Sequence, residues 1–384
     1  MANADVQNIK LDNDIKLSSA ASVTGNKAIY GQKYSISHGK TYTATLLDVP
    51  ADASLSLIDV VVNGGNDWSW IEGTRAPAEG WDDNNTDGNV DAKITSNGVK
   101  LTDSLIKSAG ALVLGEKCVI EDAYYIGTWG NNHIVKITSG SLKLDGAVVR
   151  ENLGTIFGVY NANAVISDCI IADNMLYNAN KGGLFDLHNT SCTMDGGKIE
   201  NNDGHVRSGL IFGVVDESKL TINDCLIENN RATNRGNSTS SVICCETGGD
   251  FDMNGGSITD NTGMLAGALS ARWVLNGNAS QSYINLIGGK IGNNACLAST
   301  WNNAEIFIRD TVTTIGQNMT IVGNVVVDSG VSTLTNNGTI DGDVYVQNAS
   351  ATMTNNGTID GNVSVTAGTF NNDGTVTGTI TKAE

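Results

Sequence analysis

The sequence predicts an all-β fold, a right-handed single-stranded parallel β-helix (a β-solenoid) with a β-rich N-terminal cap. Three observations carry that expectation. A unit of 11 residues recurs at unequal intervals, its residues alternate with a period of two, and no proline follows Pro77. An interior strand needs every backbone N–H for its ladder, so a long proline-free stretch suits continuous pairing. The chain has 384 residues with 45 Gly, 40% apolar and 17% charged residues. It is too apolar for a solvated disordered chain, and its core must be narrow.

The unit reads LKLDGAVVREN at Leu142–Asn152 and returns at Ala164–Asn174, Cys192–Asn202, Leu220–Asn230, Phe251–Asn261 and Ile284–Asn294. A fainter copy spans Val113–Ala123. The terminal Asn recurs in steps of 22 to 33 residues. Unequal steps around a fixed unit predict a solenoid with loops inserted on one side. Leu142, Ala164, Cys192, Leu220, Phe251 and Ile284 begin the unit, and an apolar residue follows two positions later in each. Both columns point inward, because alternate side chains share a face.

A polar corner follows, at Asp145, Ser167, Asp195, Asn223 and Asn254, where Asp, Asn and Gly tolerate a left-handed bend. After it comes a column of small residues, including Cys118, Cys169 and Cys225, which reads these thiols as small buried hydrophobes. The next inward column is β-branched, from Ile120 through Val149 to Ile291. The Asn column then predicts side-chain hydrogen bonds from coil to coil. A third wall is expected in Thr155–Tyr160, Leu184–His188, Leu210–Val215, Ser241–Glu246 and Ala268–Val274.

Three regions follow from the pattern. Residues 1–95 obey it poorly and read as a cap or as first coils. Residues 96–310 form wide coils with inserted loops. Residues 311–384 form narrow coils, because Asn336–Gly342 recurs 19 residues later at Asn355–Gly361.

Phe251–Asn261 and Cys192–Asn202 resemble a repeat common in large secreted or wall-attached proteins of Gram-positive and gut bacteria. The opening Asn8–Leu17 looks like the first coil of such proteins, and the 19-residue coils look like those of filamentous-haemagglutinin-type adhesins. The resemblance implies a pectate-lyase-like right-handed β-helix of the adhesin-like kind, for most of which no activity is known.

The net charge of −18 opposes binding of nucleic acid, which needs cations to neutralise phosphates. No apolar stretch reaches the ~18 residues of a membrane-spanning helix. The chain opens on polar residues without a signal segment, so the expected extracellular or cell-surface location requires that one has been trimmed.

Chemistry is expected in the loops and the cap. Asp83, Asn85, Asp87 and Asp91, with Gly88, follow the first half of a calcium loop, which makes Ca²⁺ the one cofactor suggested. Position 12 of that loop is Ile94, and a solvated turn is the competing reading. Trp68, Trp70 and Trp81 stand beside it and offer faces for sugar binding, or else plug the end of the core. Arg207, Arg231 and Arg235 lie in or near loops of adjacent coils. The four histidines (His38, His133, His188, His205) form no recognisable pair, and no triad, P-loop or zinc spacing is visible.

The sequence therefore favours a non-enzymatic adhesin-like protein that binds glycan or protein through loops on one side. A polysaccharide lyase or hydrolase on the same scaffold is the first alternative, and a phage or particle fibre the second.

Overall fold

The computed structural model describes residues 7–39, 41–70, 94–125, 133–179, 182–206, 208–233, 240–272, 281–298 and 302–383. Among them there is no helix, and 36 strands join one sheet in which every pairing is parallel. The chain is a parallel β-helix with three walls per coil.

The columns expected inward form the core. On the first wall Leu112, Leu142, Ala164, Cys192, Leu220, Phe251 and Ile284 stand in register. On the second wall Ile120, Val149, Ile171, Ile199, Ile227, Ile258 and Ile291 do the same. The third wall stacks Phe157, Phe185 and Phe212, with ring centroids 4.8 and 5.0 Å apart. All of these are buried. In-register stacking brings like side chains ~4.8 Å apart, so flat rings and branched chains pack on copies of themselves.

The small-residue column has a steric cause. Gly197 has φ +85°, and a Cβ there would stand 2.6 Å from the Cys169 carbonyl oxygen. Cys118, Cys169, Cys192 and Cys225 are buried, and all seven cysteines are free thiols. Burial pushes the Cys192 and Cys225 thiols up to about 12.

The Asn column is a continuous ladder. Oδ1 of Asn174 accepts from the backbone N–H and from Nδ2 of Asn152 at 3.2 and 3.0 Å. The same double contact repeats from Asn174 to Asn202, Asn202 to Asn230, Asn230 to Asn261 and Asn261 to Asn294. Each Nδ2 also donates to a carbonyl of the preceding coil, as Asn202 does to Ile171. The corner is sharp because the residue before each Asn is left-handed, from Glu151 (φ 55°) to Asn293 (φ 60°). A second ladder, Asn336 to Asn355 to Asn372, runs through the narrow coils.

The N-terminal residues read as a cap or first coils pair as coils. Ile29 stands over Leu57 and Leu57 over Leu114, while Ile36 stands over Val62 and Val62 over Ile120. Asn66–Trp70 and Ile94–Gly98 leave the helix as an antiparallel hairpin, the one such pairing among the described residues.

Candidate functional site

The coils are decorated at one corner, where the second wall turns into the third. The segments 64–105, 122–132, 173–184, 201–208, 229–240, 260–268 and 293–303 all leave there. The other two corners are tight between residues 106 and 308, apart from the segment 273–281. Five insertions begin with a strand, and these strands form a small parallel sheet of their own: Met175–Ala179, Asp203–Val206, Arg231–Thr233, Thr262–Gly263 and Ala295–Cys296. Its strands start directly after the ladder residues, so the Asn ladder sets their register.

Leu176 and Ala232 of this sheet are buried, and a Cβ on Gly204 would lie 2.8 Å from Leu210 on the third wall. The insertions thus rest on the wall and cover it. Gly209–Val215 and Ser241–Glu246 are buried on both faces. Cys245 joins the core, while Cys244 points outward, stays buried, and donates to Glu246 Oε1 at 3.3 Å.

On the outer face of the third wall the fold assembles a cluster from four coils. Asp186 is 1% exposed and receives His133 Nε2 on Oδ2 at 3.1 Å. His188 Nε2 stands 2.9 Å from Asp186 Oδ1, off the hydrogen-bond line, so that contact is a charge pair. His188 Nδ1 lies 2.7 Å from Oδ2 of the exposed Asp216. Tyr160 stacks on His188 with centroids 4.7 Å apart and donates to Asp186 Oδ2 at 3.4 Å. Lys136 lies over the Tyr160 ring.

Two glycines make room for this cluster. A Cβ on Gly158 would stand 2.4 Å from the His133 ring, and one on Gly182 would stand 2.2 Å from the Asp186 carboxyl.

The electrostatics follow from the contacts. Burial would raise the Asp186 carboxyl, but the hydrogen bond from His133 and the close contact with His188 outweigh it and hold it down at about 2. Burial would lower His188, but Asp186 and Asp216 outweigh it and raise its pKa. Burial first, and then the Asp186 charge, push the Tyr160 phenol far above its ordinary range. His133 Nδ1 is buried and has no hydrogen-bond partner. The geometry is that of an imidazole oriented through one nitrogen by a carboxylate, with the other nitrogen buried and unpartnered.

The expectation that the histidines form no pair is therefore corrected: His133 and His188 flank one aspartate. The signal was present in the third wall. Aligned on Phe157, Phe185 and Phe212, that wall puts Tyr160 and His188 in one column and Asp186 directly after a Phe.

Of the residues singled out in the sequence, Trp68 is half-exposed and donates Nε1 to the Glu151 carbonyl at 2.7 Å. It lies against a corner of a later coil and does not plug the core. Trp70 is placed by its backbone alone. Arg231 is half-buried in the small sheet. Trp81, Asp83, Asn85, Asp87, Asp91, Arg207 and Arg235 lie outside the described residues. Among the described residues no group of His, Cys, Asp and Glu could hold a metal ion, and no helix is long and apolar enough to cross a membrane.

Fold and site together define a parallel β-helix with insertions on one side and a His–Asp–His cluster on the outer face of its third wall. No protein-family model, curated protein or solved structure matches the chain.

Proposed function

We propose that this protein is a non-enzymatic, adhesin-like recognition scaffold of the bacterial surface or exterior, with glycan or protein as its partner. The observation that carries the reading is the one corner from which seven insertions leave between residues 64 and 303, against one at the other two corners between residues 106 and 308. A rigid solenoid that varies in length at one edge displays an extended surface there, and recognition concentrates in loops held by such frames.

The test is a glycan array and a panel of microbial and host surface proteins, probed with the protein and with a variant whose 203–208 and 231–240 segments are replaced by short turns. Circular dichroism and a melting curve establish that the variant still folds. Binding should be lost in the folded variant, and binding that survives intact would overturn the reading.

A second reading, a polysaccharide lyase or hydrolase, is favoured by the Asp186 cluster with the unpartnered nitrogen of His133. Incubation with acidic polysaccharides and Ca²⁺, followed by ultraviolet absorbance and reducing-sugar assays, separates the two. Product formation that disappears in His133→Ala replaces the first reading with the second.

A further inference from the structure

Among the three described arginine side chains, two are paired with a carboxylate. Arg150 donates Nε and a terminal nitrogen to Glu121 at 3.0 and 2.7 Å, and Arg309 does the same to Asp328 at 3.0 and 2.5 Å. The Arg231 guanidinium meets no acceptor. It is half-buried, and burial is the one influence on its pKa, which it lowers. A partly desolvated cation without an acceptor is costly, and in a chain of net charge −18 carboxylates are plentiful. The fold nonetheless leaves this one unpaired, although Asp203 stands in register with it on the neighbouring strand.

Its surroundings suit an incoming group. Arg231 stands in register between Asp203 and Thr262 on the insertion-side sheet, where its neighbours on the alternate column, Gly204, Ala232 and Gly263, face the third wall. Thr262 is half-buried on the next strand, ~4.8 Å along the column. A guanidinium fork, with a hydroxyl-bearing residue on the adjacent strand, supplies the donor types that a planar anion takes.

We propose that Arg231, with Thr262, forms an anion-binding subsite on the insertion face that takes the carboxylate of an acidic sugar. The proposal rests on the recognition reading above and names its ligand class. The charge of the whole chain sets a further limit. A −18 molecule repels polyanions beyond a Debye length of ~8 Å at physiological salt. The preferred ligand is therefore a glycan with isolated carboxylates among neutral sugars. Affinity for a densely charged chain should rise with added salt, opposite to the behaviour of a nucleic-acid binder.

The test uses a glucuronate-terminated oligosaccharide, its methyl ester and its neutral glucose counterpart, titrated calorimetrically into the wild type, Arg231→Ala and Arg231→Lys. A sulfated analogue distinguishes carboxylate from sulfate as the source of charge. Wild type should bind the acid about 10- to 100-fold more tightly than the ester. Arg231→Ala should lose that preference and bind the ester unchanged, and Arg231→Lys should keep part of it. Equal binding of acid and ester by wild type, or an undiminished preference in Arg231→Ala, overturns the subsite. Preference for the sulfated analogue over the acid overturns the carboxylate assignment. If wild type binds neutral glycans through its insertions but ignores the acid, the subsite falls and the recognition reading stands. If it binds none of these probes and no surface protein or glycan of the panel, both fall.

Discussion

Glu305 ends the Asn ladder by accepting both donors of Asn294. Its Oε2 takes the Asn294 backbone N–H at 3.2 Å, and its Oε1 takes Nδ2. Every earlier rung presents a single Oδ1 to the two donors behind it. At the last rung no further Asn follows, and a two-oxygen side chain on the third wall closes the series. Gly323 lets it fit, since a Cβ there would stand 2.8 Å from Glu305 Oε2.

This cap gives the protein a pH-dependent stability. Burial pushes the Glu305 carboxyl up to about 8, although the Asn294 donors pull it down. The folded chain keeps this proton up to about pH 8, whereas the unfolded chain loses it near 4.5. Stability therefore falls as pH rises across that window. Urea unfolding of Glu305→Gln, which keeps an acceptor and cannot ionise, should show a shallower fall. Glu305→Ala should cost about 1–3 kcal/mol at pH 5 by stranding the Asn294 donors. An identical pH slope in the Gln variant would refute the assignment.

Mid-ladder, Asn202 stands for the interior rungs, which share one set of contacts. Its Oδ1 accepts two donors from Asn174, and its Nδ2 reaches the Ile171 and Glu200 carbonyls. Asn202→Ala strands buried partners on both sides and should destabilise by about 3 kcal/mol or more, read as a drop in the urea midpoint. A change below about 1 kcal/mol would show that the ladder is ornamental.

The His188 bridge predicts a different pH window. His188 is raised by Asp186 and Asp216, so its contribution is complete below 6.5 and fades as pH climbs through its raised folded value. Asp186 is held at about 2, so its contribution is complete above 3.8 and fades as pH falls toward 2. The bridge is worth most between those limits, from 3.8 to 6.5. His188→Gln should remove the alkaline part of the slope, measured by thermal melts from pH 5 to 9, and leave the Glu305 part in place. A melting profile unchanged in shape would sink this prediction.

Gly158 and His133 should be coupled. Gly158→Ala forces a methyl group against the His133 ring and should cost about 1–3 kcal/mol. In a His133→Ala background the same substitution should cost much less. A double-mutant cycle measures the difference, and additivity of the two changes would mean that the ring and the glycine do not meet.

The thiols should be inert in the native protein. Six of the seven cysteines are buried, and Cys296 is half-buried with a thiol that burial raises. An alkylating reagent at pH 8 should label the native chain slowly and at Cys296 first, with the rest reacting only in denaturant. Rapid native labelling of Cys118 or Cys192 would contradict the inward columns.

How much of this was legible depends on sequence distance. The alternation of Leu142 with Leu144 lies inside one strand, and the small column and Asn column repeat one local unit, so the inward faces could be read directly. The Asp186 cluster joins residues up to 53 positions apart. Its geometry depends on how insertions of different length return the chain to a common register on the third wall, which no pattern within one strand encodes and only alignment on the Phe column brings partly into view. Glu305 was hidden for the same reason, since it caps a ladder that belongs to another wall.

By itself, then, the sequence determined the solenoid, its three inward columns, the ladder and the side that bears insertions, because each is fixed by a strand's period of two and by steric or hydrogen-bonding demands at a corner. The tertiary structure decided which outward residues meet. It buried His133 and Asp186 on the outer face of the third wall, closed the ladder with Glu305, and left Arg231 without a partner. Those outcomes depend on stacking between coils, where a shift of one residue would turn each of these side chains to the opposite face.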